Sequence, residues 1–201
     1  MSILLNANES QLVLVDYQDR LMPAIHEGQR AVKQACILAN AARLLKVPAF
    51  LTEQTPDKLG LTDASLKALV DKTIVKTHFS AVSDGLSEAL RAPAKPVGGN
   101  ARSMPKHIRK SDDAAERNTV IVAGCEAHVC LMQTALELIE EEFDVWVVTD
   151  ACSSRTVVNR DAAFDRLASN GAELVTTEMV VFEWLKNSQH PAFRDALQLI
   201  K

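Results

Sequence analysis

The sequence has 201 residues, a length that suits one α/β domain with a sizeable core. Hydrophobic residues make up 47% of the sequence and charged residues 24%, an ordinary globular composition that argues against disorder. The formal net charge of −4 disfavours binding of the whole molecule to nucleic acid or to an anionic membrane.

No apolar run reaches membrane-spanning length, and residues 1–11 lack the basic region and the cleavage site of a signal peptide. We therefore expect a cytoplasmic protein that does not bind a membrane. The four cysteines form no Cys-x-x-Cys pair, and a chain of this size needs no disulfide to hold its core. Free thiols are expected, and one of them could be catalytic.

Short apolar runs rich in valine alternate along the chain with longer segments of helical spacing. Near-continuous apolar runs are typical of parallel strands that are buried on both faces. The predicted strands cover residues 12–16, 47–52, 73–76, 119–123, 145–149 and 172–176. The predicted helices cover residues 28–45, 64–69, 83–90, 130–142, 158–170 and 178–201, the last with a break at Pro191. This alternation predicts a doubly wound, three-layer α/β fold in a single domain spanning residues 1–201.

Residues 91–116 interrupt the alternation, and no strand fits there. The segment contains three prolines, a glycine pair and a basic cluster: Pro93, Pro96, Pro105, Gly98–Gly99, Lys95, Arg102, Lys106, His107, Arg109 and Lys110. We interpret this insert as a solvated surface loop. The alternative is a lid or a subunit-contact arm that brings positive charge near a site.

Polar side chains follow three of the predicted strands. Ligands of open parallel sheets bind beyond the carboxyl ends of the strands. The first strand ends at Asp16, the third ends at Lys76, and the fourth leads to Cys130, where the next predicted helix begins. A carboxylate, an amine and a thiol are therefore expected at the same edge of one sheet.

These three groups suit nucleophilic catalysis. A helix start and a nearby ammonium both favour a thiolate, so we expect the thiol pKa of Cys130 to be lowered. The Asp16 carboxylate could take the thiol proton and return it to a leaving amine. Taken singly, Asp16 is equally a turn residue, Lys76 a solvated lysine and Cys130 a small buried hydrophobic residue.

We predict mainly structural roles for His128 and for the three other cysteines. His128 precedes Cys130 by two residues, a spacing that rarely lets two side chains face each other, so we expect a structural hydrogen bond rather than a Cys–His dyad. Cys125 is expected to be inert and Cys36 to lie in the core. Cys152 is predicted to lie in a structural loop, with a position at the border of the pocket as the alternative.

Five blocks of the sequence resemble the isochorismatase-like cysteine hydrolases, most closely the stand-alone isochorismatase-domain branch. The most specific block is Gly-Cys-Glu-Ala-His-Val-Cys at residues 124–130, running into a helix. The blocks cover residues 12–25, 51–60, 75–81, 122–135 and 149–155. They occur in the expected order across nearly the whole chain.

The resemblance implies a six-stranded parallel sheet in the order 3-2-1-4-5-6 and a catalytic triad of Asp16, Lys76 and Cys130. It also implies a non-proline cis peptide at Cys125–Glu126, with backbone N–H groups near Glu126 and Cys130 turned toward an oxyanion. The candidate substrate-binding residues are Gln18, Leu21 and Phe79. Family members assemble as dimers, tetramers or larger oligomers, so a homo-oligomer with residues 179–201 at the contact is expected. The same apolar segment could instead pack on the sheet of its own subunit.

The sequence departs from the nicotinamidases of this family, which place Asp-x-His after the second strand to bind a metal. Here the region reads Thr-Glu-Gln-Thr-Pro at residues 52–56, without a histidine, so no metal and no cofactor are predicted. The predicted substrate is a small molecule with an amide or related C–N bond. Two alternatives stay open: a vinyl-ether hydrolase and a non-catalytic binding protein. A dinucleotide-binding protein is disfavoured because no Gly-x-Gly-x-x-Gly follows the first strand.

Overall fold

A computed structural model describes residues 3–92 and 117–201, and six parallel strands form one sheet within them. The strand order is β3-β2-β1-β4-β5-β6, which confirms the predicted fold class. The strands are β1 (Ser10–Val15), β2 (Ala49–Gln54), β3 (Lys72–Lys76), β4 (Thr119–Gly124), β5 (Asp144–Val148) and β6 (Glu173–Val175).

Helices cover the two faces of the sheet, with α1 packed against α7 and α8, and α5 packed against α6. The α-helices are α1 (Gly28–Leu44), α2 (Pro56–Leu59), α3 (Ala64–Lys67), α4 (Leu86–Arg91), α5 (Met132–Glu140), α6 (Val157–Ser169), α7 (Thr177–Leu185) and α8 (Phe193–Ile200). Short 3₁₀ turns cover Met22–Ala24, Val82–Asp84 and Thr149–Ala151. Because the strands are covered on both faces, the central strands β1, β2, β4 and β5 are almost entirely buried, as their apolar sequences predict.

Two predicted helices have different boundaries in the structure. The helix predicted to begin at residue 130 is preceded by a π-helical turn, Ala127–Leu131, in which the carbonyl of Glu126 accepts from the N–H groups of Val129 and Leu131. The predicted helix at 178–201 is two helices, because Lys186 adopts a left-handed conformation with φ of 63° and ends α7. Pro191 lies in the connection between them.

The described residues stop at residue 92, just after α4, and resume at residue 117, just before β4. Both points lie at the amino-terminal edge of the sheet. The buried Gln11 side chain on β1 donates through Nε2 to the carbonyl of Leu90 at 3.0 Å and to that of Arg117 at 2.7 Å. The Arg117 guanidinium in turn donates to the carbonyls of Ala7 and Ser10. Residues 93–116 lie outside the described residues, so the loop and lid interpretations of the insert stay predictions.

Among the described segments 3–92 and 117–201, no helix combines the length and the apolar character that a membrane span requires.

Candidate active site

Asp16, Lys76 and Cys130 lie in one buried cluster at the carboxyl-terminal edge of the sheet. Asp16 follows β1, Lys76 is the last residue of β3, and Cys130 lies in the π-helical turn after β4. Their exposed fractions are 0%, 1% and 7%. The short strand-to-helix connections of a parallel sheet bring these residues together from three separate segments.

Both carboxylate oxygens of Asp16 have a partner in the site. Oδ1 accepts a hydrogen bond of 2.6 Å from the Thr52 hydroxyl on β2. Oδ2 lies 2.7 Å from Nζ of Lys76, so the two buried side chains form an ion pair. Asp16 has a φ of 53°, a left-handed conformation that aspartate tolerates better than most residues.

The ammonium of Lys76 has three hydrogen-bond acceptors besides its ion pair with Asp16. Nζ donates to Oε1 of Gln54 at 2.7 Å, to the carbonyl of Phe79 at 2.9 Å and to that of His78 at 3.3 Å. With Oδ2 of Asp16 at 2.7 Å, four oxygen atoms therefore surround the ammonium.

The thiol of Cys130 is more weakly acidic than the sequence suggests. Burial raises the pKa of Cys130 to about 12; the negative charge of Asp16 raises it too, and the charge of Lys76 opposes both. The expected lowering of this pKa is thus wrong. Cys130 lies inside a π-helical turn rather than at a free helix start, and the ammonium of Lys76 is balanced by Asp16.

Gln54 and Thr52 are site residues that the sequence analysis missed. They lie two positions apart on β2, so both side chains point to the same face of the sheet. The amide oxygen of Gln54 binds Lys76 and lies 4.0 Å from Sγ of Cys130. The signal that could have found them is the position of β2 between β1 and β3, the strands that carry Asp16 and Lys76.

The peptide bond between Cys125 and Glu126 is cis. Glu126 is 9% exposed, and its carboxylate accepts from the backbone N–H and the side-chain Nε of Arg155 at 3.0 and 2.9 Å. Its own N–H donates to no acceptor in the parts of the chain that the structure describes. The thiol of Cys125 is fully buried, and burial raises its pKa to about 12, which agrees with an inert role.

The three candidate substrate-binding residues have different environments. The buried amide oxygen of Gln18 accepts from the N–H of Gln54, and its Nε2 donates to the carbonyls of Gln54 and Gly60, so Gln18 joins β2 to the loop after α2. Leu21 packs partly against the core, whereas Phe79 is 55% exposed. A role in substrate binding stays a prediction for all three residues.

His128 and Cys152 lie near the same edge but outside the cluster. Nδ1 of His128 lies 3.0 Å from the Ser154 hydroxyl, in agreement with a structural role. Cys152 is 3% exposed and lines a cavity of about 360 Å³ between the first turns of α1 and α6. Asp16, Lys76 and Cys130 do not line this cavity, so Cys152 borders a different space.

Within the described residues, no three His, Cys, Asp or Glu side chains converge as a metal site would require. At the positions where a metal-binding Asp-x-His would be expected, β2 ends with Glu53 and Gln54. The carboxylate of Glu53 accepts from the N–H of Thr62 and from Nζ of Lys67, both at 2.9 Å, and these hydrogen bonds hold its pKa below the usual range against the opposing effect of burial. Both side chains therefore have protein partners.

Comparison with known proteins supports the resemblance seen in the sequence. The model of the isochorismatase domain family matches residues 10–97 and 104–179. The isochorismatase domain-containing protein 2A of Mus musculus is 33% identical over 192 residues, which cover 96% of this chain and 82% of the relative.

Two solved structures share the fold over nearly their full length. The structure described as a MAR1 ribonuclease from Caenorhabditis elegans has a TM-score of 0.83 and 30% identity, covering 98% of this chain and 91% of its own. The YcaC gene product of Escherichia coli, described as an octameric hydrolase of unknown specificity, has a TM-score of 0.77 and 24% identity. That alignment covers 98% of this chain and 96% of YcaC.

Proposed function

Because the chain belongs to the isochorismatase family, whose members are generally hydrolases, we propose that it is a cysteine hydrolase acting on a small molecule with an amide or related C–N bond. Cys130 is the nucleophile, Asp16 the base and Lys76 the cation that orients them. One observation carries the proposal: the buried Asp16 carboxylate and the Lys76 ammonium lie 2.7 Å apart, and both are close enough to the Cys130 thiol to act on its pKa.

The pKa of Cys130 explains why the reaction needs a base. With a pKa of about 12, on the order of one thiol in 10⁵ is ionised at pH 7, too few for free thiolate to be the working nucleophile. Proton transfer to Asp16 during attack avoids a free thiolate.

The proposed reaction has two stages. The sulfur of Cys130 attacks the carbonyl carbon while Oδ2 of Asp16 takes the thiol proton, and the N–H groups of Glu126 and Cys130 stabilise the oxyanion. The C–N bond then breaks, and the amine leaves with the proton from Asp16. In the second stage Asp16 takes a proton from water, which attacks the thioester, releases the carboxylic acid and restores the thiol.

We also propose that the protein works in the cytoplasm as a homo-oligomer. All four cysteines are free thiols, which a reducing compartment maintains. On α7, Met179 and Phe182 are 45% and 39% exposed, and Ile3 is 88% exposed, so apolar surface is available for a subunit contact. The octameric state is that of YcaC; the number of subunits proposed here is two or more.

A panel of small amides, ureas and carbamoyl compounds, read by release of ammonia or amine, tests the proposed reaction. The panel includes a vinyl ether and an RNA oligonucleotide, because the relative from Caenorhabditis elegans is described as a ribonuclease. Cys130→Ala and Asp16→Asn should each lower turnover by roughly 10³-fold or more, since nucleophile and base act as one unit.

Cys36→Ala is the matched control, because Cys36 lies on α1 near Ser65 and outside the candidate site. It should retain the turnover of the wild type. Circular dichroism must show that Cys130→Ala stays folded. A folded Cys130→Ala variant with wild-type turnover would rule out the proposed reaction.

A further inference from the structure

Gln54 joins two members of the candidate triad through a single atom. It is 8% exposed at the end of β2. Its Oε1 accepts a hydrogen bond of 2.7 Å from Nζ of Lys76 and lies 4.0 Å from Sγ of Cys130.

The orientation of the Gln54 amide is fixed by its nitrogen. Nε2 donates to the carbonyl of Thr77 at 2.8 Å and lies 3.3 Å from the Thr55 hydroxyl. A flip of the amide would turn the NH₂ group toward the ammonium of Lys76 and leave the carbonyl of Thr77 without its donor. Both changes are unfavourable in a buried site, so the oxygen stays directed at Lys76 and Cys130.

We propose that Gln54 is a positioning residue that holds the Lys76 ammonium beside the Cys130 thiol, where the positive charge favours the thiolate. This inference rests on the proposed function, because it assigns a role at the same nucleophile. It concerns the position of Lys76, and Gln54 forms no bond with the substrate.

The position of the Lys76 ammonium depends on four neighbouring oxygen atoms. Oε1 of Gln54 and Oδ2 of Asp16 both lie 2.7 Å from Nζ, and two backbone carbonyls lie at 2.9 and 3.3 Å. Oε1 of Gln54 also lies 4.0 Å from Sγ of Cys130. Without Oε1, the ammonium is no longer held on the side of the thiol, so its charge favours the Cys130 thiolate less.

Alkylation of Cys130 by iodoacetamide tests this role without a substrate. The initial rate is measured from pH 7 to 10, with the modified peptides read by mass spectrometry. Gln54→Met keeps the side-chain length and removes the hydrogen bonds; it should slow labelling of Cys130 about tenfold, the usual scale for losing one hydrogen bond to a charged group. Gln54→Glu should slow it further, because a second carboxylate disfavours the thiolate.

Gln11→Met is the matched control. Gln11 is also a buried glutamine on a central strand, with both of its hydrogen bonds at the opposite edge of the sheet. The Gln11→Met variant should have a lower melting temperature, and the labelling rate of Cys130 and its pH dependence should not change.

The result separates this proposal from the proposed function. Equal Cys130 labelling profiles for the wild type and both Gln54 variants, or an equal slowing in Gln11→Met, would overturn the role of Gln54 and leave the triad standing. If Gln54→Met slows labelling as expected but Cys130→Ala keeps full turnover, the positioning geometry is correct and the catalytic assignment is wrong.

Discussion

Three buried thiols and a buried phenol near the carboxyl ends of β1, β4 and β5 have raised pKa values. Burial raises the pKa of the Cys125 and Cys130 thiols to about 12, and it also raises the pKa of Cys152 and of the Tyr17 phenol. A low-dielectric surrounding disfavours the charged form of each group. The folded protein therefore keeps these protons to a higher pH than the unfolded chain does.

This difference predicts that the free energy of unfolding falls as the pH rises above about 9. An unfolded thiol loses its proton near its ordinary pKa and stabilises the unfolded state, whereas the folded thiol stays neutral until near 12. Each such group lowers the stability by up to about 1.4 kcal/mol per pH unit in this window. Urea unfolding between pH 7 and 10 measures the slope.

The pH dependence of the free energy of unfolding is compared between the wild type and Cys125→Ala. This variant lacks one of the titrating groups, so its stability should fall less steeply with pH than that of the wild type, even if its stability at pH 7 is lower. Parallel slopes for the two proteins would mean that Cys125 ionises at its ordinary pKa in the folded state.

The three triad candidates could be identified from the sequence, but the electrostatic environment of Cys130 could not. Asp16, Lys76 and Cys130 could be found because each follows a recognisable apolar strand. The pKa of Cys130 could not be predicted, because it depends on burial and on how Lys76 divides its contacts among neighbours distant in sequence. Gln54 was missed for the same reason: its partners come from β3 and from the turn after β4.

Among the elements, the side chain of Gln11 on β1 holds together the two residues that flank the insert, Leu90 and Arg117. Nε2 of Gln11 donates to the carbonyls of both Leu90 and Arg117, so these two oxygens lie within about 6 Å of each other, as two hydrogen bonds to one nitrogen require. This attachment is at the amino-terminal edge of the sheet, whereas Cys130 lies at the carboxyl-terminal edge.

Replacement of residues 93–116 by a four-residue Gly/Ser linker should therefore leave the fold intact. The closure of a shorter loop costs less entropy, so the melting temperature should stay equal or rise slightly. The labelling rate of Cys130 by iodoacetamide should match that of the wild type. Faster labelling in the shortened variant, with an unchanged fold by circular dichroism, would instead support the interpretation of the insert as a lid.

The order and type of most elements could be predicted because buried parallel strands are apolar and helices have a different period. The helix boundaries were less accurate. The π-helical turn at Ala127–Leu131 has no distinct sequence signal, since it is set by the carbonyl of Glu126 accepting two N–H groups. The end of α7 at Lys186 was missed because lysine is an unusual residue for a left-handed helix end.

In the whole molecule, the two edges of the parallel sheet carry different parts of the chain. Asp16, Lys76 and Cys130 lie at the carboxyl-terminal edge, and Leu90 and Arg117, on either side of the insert, are bound at the amino-terminal edge. At the carboxyl-terminal edge, we propose, Cys130 carries the acyl group of the substrate as a thioester.

Intact-protein mass spectrometry after an acid quench tests this claim most directly. The wild type is mixed with an amide that the panel identifies as a substrate, stopped within the first turnovers, and digested to locate the adduct. We expect the mass of the acyl group on Cys130, with none on Cys36, Cys125 or Cys152 and none in Cys130→Ala. Rapid turnover of the amide with an acyl adduct on another residue, or with the same turnover in Cys130→Ala, would contradict it.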